Sequence, residues 1–158
     1  MRQGGVGTWI LISLAVLVTG ALVLRLVVGE GPRVGPAPAP SAPAPSDEAG
    51  LRALARDPAV IATGAEIFAG LCWNCHGRAG EGTIQAPNLR DDWWIGGNDM
   101  TDLVRVIRDG RPGTAMQPMG QYYTPAQIAA VAAYVVSLKG STGGNGKSPE
   151  GKLAPIAW

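Results

Sequence analysis

The chain has 158 residues, 2 cysteines, 1 histidine and a formal net charge of +1. That length suits one compact domain with appendages. The near-neutral balance, with no basic cluster interleaved with aromatics, gives no support to a nucleic-acid partner. Apolar residues are concentrated at the start, where Thr8 to Val28 reads TWILISLAVLVTGALVLRLVV with a single charge, Arg25. As a helix this run spans about 32 Å, the thickness of a bilayer core. It is longer than the apolar region of a cleaved signal, and no A-x-A follows closely. Residues 1–28 are therefore expected to be an N-terminal transmembrane anchor.

Residues 29–48, GEGPRVGPAPAPSAPAPSDE, lack the large apolar side chains a core needs. Alternating Pro and Ala favour extended polyproline geometry at about 3.1 Å per residue, so this segment reads as a linker. A head domain is expected over residues 49–140. In it Asp57 caps a turn opened by Pro58, and Thr63 with Glu66 forms a T-x-x-E capping box before IFAGLC. A helix thus leads straight into CWNCH. Asp99 starts a second, amphipathic helix that carries Leu103, Val106 and Ile107 and stops at Gly110. The last begins at Thr124, with Pro125 next and Gln127 completing a capping box; Ile128, Val131, Val135 and Leu138 recur at helical spacing up to Gly140. No stretch alternates like a strand, so no sheet is expected. Residues 141–158 read as a flexible C-terminal tail, apolar at its end from Leu153 to Trp158.

The motif LCWNCHG, Leu71 to Gly77, holds both cysteines and the sole histidine. A structural zinc site needs four ligands of the thiolate or imidazole kind, and this chain has three such residues in all. A redox dithiol wants Cys-x-x-Cys at a helix N-terminus beside strands, whereas here a helix precedes the motif. Cys-x-x-Cys-His is the attachment signature of c-type haem, with Cys72 and Cys75 as thioether donors and His76 as the iron ligand. A flat apolar cofactor also fills the middle of a domain whose short helices offer little core. With no second histidine, the other iron ligand is sought among the methionines. Met100 falls in a helix and suits packing, which leaves Met116 and Met119 in RPGTAMQPMGQYY.

Residues 57–139 resemble a class I cytochrome c, and more specifically the haem domains of the third subunit of cbb-type haem-copper oxidases. DPAVIATGAEIF, CWNCHG, APNLRDDWW, GG and GRPG carry the likeness. The resemblance implies an all-α fold, a small class I cytochrome c domain of three to five short helices around one covalent haem c, here on a single N-terminal transmembrane helix. It implies that Gly64 and Phe68 meet Tyr134, and that the Pro87 carbonyl accepts from the axial histidine. It places the ligand methionine about eight residues before the final helix cap, which selects Met116 over Met119. The implied cofactor-binding set is Cys72, Cys75, His76, Pro87 and Met116, with His76 and Met116 on the metal. The chain departs from these subunits in having one haem motif where they usually carry two, and in WWIGG where they tend to show WLYGG.

These readings imply a membrane-anchored monohaem electron carrier, or the electron-transfer subunit of a larger complex, rather than an enzyme. Its partners would be the membrane itself, a quinol-oxidising complex, and a terminal oxidase or reductase. Haem attachment to this motif takes place outside the cytoplasm, so the expected placement is single-pass in the inner membrane, N-terminus cytoplasmic and haem domain periplasmic. The alternative is a haem enzyme or gas sensor with a displaceable methionine.

Overall fold

The computed structural model describes residues 43–97, 99–141 and 146–153. The expected anchor and residues 29–42 of the expected linker lie outside these residues. Among the described residues no helix is long and apolar enough to cross a membrane.

Helix α1, Glu48–Leu54, starts where the sequence reading ends its linker. Asp47 caps it by accepting from Gly50 N at 3.1 Å, and Leu51 enters the core. Glu48 then ties α1 to a later helix by accepting from Thr101 N at 3.0 Å.

Helix α2, Pro58–Ile67, opens at the Asp57 cap with Pro58 in the first turn, as the sequence predicts. Thr63 is not a second start. Its hydroxyl donates back to the Ala59 carbonyl at 3.0 Å inside an unbroken helix, because the turn before it already supplies backbone acceptors. The rod continues through a π-helical turn, Phe68–Cys72, into α3, Trp73–His76. The wider turn changes the angular register of everything after it.

Helix α4, Met100–Asp109, is capped by Asp99, which accepts from Asp102 N at 2.7 Å. It ends at Gly110, whose φ of 71° is open to glycine at little cost. A Cβ there would also stand 2.7 Å from the Met116 carbonyl. Helix α5, Pro125–Ser137, has both halves of the Thr124–Gln127 capping box. It is buried along most of its length and forms the spine of the core with Phe68, Leu51, Leu103 and Ile107. Met100 is fully buried in that core, the packing role expected of it.

The principal helix contact is α2 across α5. Gly64 faces Ala130 and Tyr134 there, and the Phe68 and Tyr134 rings lie 5.2 Å apart at a tilt of 58°. Both expected approaches are present.

Two features depart from an all-α fold with a free tail. Trp93–Trp94, strand β1, pairs antiparallel with Lys152–Leu153, strand β2, in the register Trp93 to Leu153 and Trp94 to Lys152. A two-residue ladder is too short to show alternation in sequence. Its partner strand also lies in the segment expected to be flexible, which in residues 146–153 lies against the domain. Lys147 N donates to the Glu81 carbonyl at 2.8 Å, and Asn88 Nδ2 donates to the Lys147 carbonyl at 3.2 Å.

Candidate functional site

The helical rod α2–α3 delivers Cys72, Cys75 and His76 to one wall of a cavity of about 450 Å³, and all three line it. Its size falls in the range of small-molecule and cofactor pockets. Most of the lining is apolar. Phe68 and Leu71 come from the rod, Leu103 and Ile107 from α4, and Val131 and Val135 from α5.

Both cysteines are free thiols. Burial is the main cause that pushes the Cys72 thiol up from its ordinary value, with Cys75 adding in the same sense against a backbone hydrogen bond. A buried thiol of that kind is a poor thiolate, the reverse of what a dithiol redox centre requires. Among the described residues no three His, Cys, Asp or Glu side chains gather as a metal-holding group. Neither observation favours a zinc centre or a redox dithiol.

The loop after the motif folds back over it. Gly82 N donates to the His76 carbonyl at 2.8 Å, Leu89 N to the Gly80 carbonyl at 2.8 Å, and Thr83 Oγ1 to the Cys75 carbonyl at 2.5 Å. This return brings Pro87 beside the histidine, and His76 Nδ1 lies 3.2 Å from the Pro87 carbonyl oxygen. A carbonyl only accepts, so Nδ1 carries the proton and Nε2 keeps its lone pair. Desolvation lowers the His76 pKa and outweighs the bond to Pro87, which raises it. Burial thus favours the uncharged imidazole.

The loop between α4 and α5 is fixed by Arg111 N donating to the Met116 carbonyl at 3.0 Å and Met119 N donating to the Ile107 carbonyl at 3.1 Å. Met116 and Met119 both line the cavity and both are partly buried. All five expected site residues, Cys72, Cys75, His76, Pro87 and Met116, therefore border one space, together with the methionine that was set aside.

Trp93, Trp94 and Ile95 complete the wall. Trp94 Nε1 and Asp91 Oδ2 are buried without a hydrogen-bond partner among the described residues. Leu71, Trp93 and Ile95 are each about 40% exposed, forming an apolar border to the cavity. Lys147 and Glu150 also line it, 2.9 Å apart. Neither had a local signal, since their proximity depends on where the tail lies.

A short helical shell around an apolar cavity, with the Cys-x-x-Cys-His segment turned inward from the end of its first long helix, is the plan of a cytochrome c domain. Residues 59–135 match the family model described as cytochrome c oxidase, cbb3-type, subunit III. The chain is 40% identical over 90 residues to cbb3-type cytochrome c oxidase subunit CcoP of Rubrivivax gelatinosus, covering 56% of this chain and 29% of that one. It is 42% identical over 81 residues to subunit FixP of Bradyrhizobium sp. ORS 278, covering 50% and 28%. Among solved structures, cytochrome cL of Methylophaga aminisulfidivorans MPT is 28% identical, covering 52% of this chain and 55% of that one, with a TM-score of 0.49. This is a cytochrome c domain related to the haem domains of the third subunit of cbb3-type oxidases. The chain spans about a third of the length of the curated relatives it matches.

Proposed function

We propose that the protein is a membrane-anchored c-type cytochrome with one covalent haem, carrying single electrons between respiratory complexes or serving as the electron-transfer subunit of one. The observation that carries the reading is the convergence of Cys72, Cys75, His76 and Met116 on one apolar cavity, with His76 Nδ1 committed to the Pro87 carbonyl.

The residues fit the group. Cys72 and Cys75 are unbridged thiols available for thioether bonds. His76 offers Nε2 to iron, and Pro87 fixes its ring and tunes its basicity. Met116 would supply a neutral, soft sulfur, a donor that favours the ferrous state. The unpaired Trp94 indole N–H is a donor suited to a cofactor carboxylate. Bound in this cavity, haem supplies a reversible one-electron couple. Were His76 and Met116 both to ligate the iron, no position would be left for substrate, and a carrier would fit better than an enzyme. Leu71, Trp93 and Ile95 offer a partly exposed apolar border suited to brief docking of a redox partner.

The apolar run from Thr8 to Val28 supports single-pass anchoring, and the attachment chemistry supports a periplasmic head. A partner in the same membrane then meets the head at high local concentration, on the order of millimolar for a flexible tether. Purification of the full chain from membranes tests the reading. One haem per chain that resists acid-acetone extraction, with no carbon monoxide binding in the native ferrous state, is expected. Extractable haem, or ready carbon monoxide binding, overturns it.

A further inference from the structure

We propose that Gly146–Leu153 is a built wall of the cofactor site and that it positions the Pro87 carbonyl for His76. The segment lies beyond the family match, which ends at residue 135, and the inference rests on the haem reading above.

Three observations carry it. Lys147 and Glu150 line the same cavity as the Cys-x-x-Cys-His residues. The segment is fastened to the loop that covers the histidine: Lys147 N donates to the Glu81 carbonyl at 2.8 Å, and Asn88 Nδ2 donates to the Lys147 carbonyl at 3.2 Å. Asn88 directly follows Pro87, and its Oδ1 accepts from Arg90 N at 2.9 Å, so one buried side chain joins the wall to the loop. Further along, Gly151 has φ of 102°, and a Cβ on it would collide with the Trp94 carbonyl oxygen and stand 3.0 Å from Ile95 N. The segment therefore follows the backbone of the tryptophan wall at a distance only glycine permits.

The consequence is twofold. Covering the cavity on the tryptophan side limits water near the cofactor, and a drier shell disfavours the more highly charged ferric centre. Pinning Asn88 restrains the adjacent carbonyl to which His76 Nδ1–H donates, and such bonds orient and tune a metal-bound imidazole. Asn88 and Gly151 are positioning residues; neither is assigned as an iron ligand.

Three variants of the full protein test this. Asn88→Asp keeps the acceptor for Arg90 N but removes the donor to Lys147. Gly151→Val lifts the segment from Trp94. A stop after Ser141 deletes it. Midpoint potential, and exchange of the His76 Nδ1 proton in the ferrous state followed by NMR, are the readouts. Each haem-loaded variant should raise the oxidised-to-reduced ratio at the wild-type midpoint by about tenfold, which is 59 mV for one electron. The imidazole proton should exchange at least about tenfold faster. If the truncated chain fails to mature, the two point variants decide. Haem-loaded point variants with wild-type potential and exchange overturn the wall's role while leaving the cytochrome reading intact. A wild-type chain without covalent haem overturns both.

Discussion

Gly64 of α2 lies so close to Ala130 of α5 that a side-chain carbon on it would strike the Ala130 carbonyl oxygen and stand 2.8 Å from Tyr134 Cβ. Because α2 continues as the rod that carries Cys72, Cys75 and His76, this crossing sets where the motif meets the cavity. Gly64→Ala should force the helices apart and destabilise the domain by about 1–3 kcal/mol. For a domain of this size that is a fall of roughly 4–8 °C in Tm per kcal/mol. Thermal unfolding followed by far-ultraviolet circular dichroism checks it; an unchanged Tm would mean that the close approach is not maintained in solution.

Met116 and Met119 share the cavity, but the proposed function gives them different work. Met116→Ala should abolish the far-red methionine-to-ferric-iron band, admit carbon monoxide and lower the potential. Met119→Ala should retain the band and lose mainly packing, about 2–5 kcal/mol if its cavity does not collapse. Absorption spectra of the two ferric variants distinguish the roles, and the opposite pattern transfers the ligand assignment to Met119.

The two threonine starts read from sequence behave differently. Thr124 accepts from Gln127 N at 3.3 Å in a complete capping box, so Thr124→Ala should cost about 1 kcal/mol. Thr63 sits inside α2 and its hydroxyl only returns to Ala59. Thr63→Ala should therefore be neutral or stabilising by up to about 0.7 kcal/mol from helix propensity. Urea denaturation of both variants reads the contrast.

That contrast marks where sequence is informative. Asp57, Asp99 and Thr124 were legible as caps because each has a short polar side chain directly before an apolar-periodic run, and each accepts from a nearby backbone N–H. Thr63 fits the same pattern, and what tells it apart is the earlier start at Pro58, which already provides helical backbone. Cys72, Cys75 and His76 could be singled out as candidates because Cys-x-x-Cys-His is a local motif, whereas Pro87 and Met116 were drawn from the family resemblance. The β1–β2 pairing was not. Trp93 and Leu153 are 60 positions apart, and no local pattern connects them. The choice between Met116 and Met119 rests only on distance to the Thr124 cap, and both side chains reach the cavity. Helix α1 was missed because its cap, Asp47, and first residue, Glu48, directly follow a Pro/Ala-rich run and were read as the end of the linker.

Lys139 follows α5 and its ammonium has been drawn out of water. Its side chain is only 6% exposed, with Nζ 4.3 Å from the centre of the Trp94 ring and 3.6 Å from Asp92 Oδ1. Among the described residues no hydrogen-bond partner reaches Nζ. Burial pushes its pKa below the ordinary lysine value, and the attraction of Asp92, with Asp91 in the same sense, offsets this only in part. Between the folded pKa and the unfolded value near about 10.4, the unfolded chain binds more protons, so this group's contribution to stability rises with pH across that window. Tyr123 acts oppositely: burial raises its pKa, so its contribution falls as the unfolded tyrosine ionises near about pH 10. The difference between wild type and Lys139→Met isolates the lysine, since the tyrosine is common to both. Methionine fills similar volume without a charge to desolvate, so the variant should equal or exceed wild-type stability at pH 7. Its advantage should shrink as pH approaches the unfolded lysine value. Urea midpoints at pH 7, 8.5 and 10 measure the trend, and an advantage that grows with pH would show that Asp92 and the Trp94 ring outweigh the cost of burial.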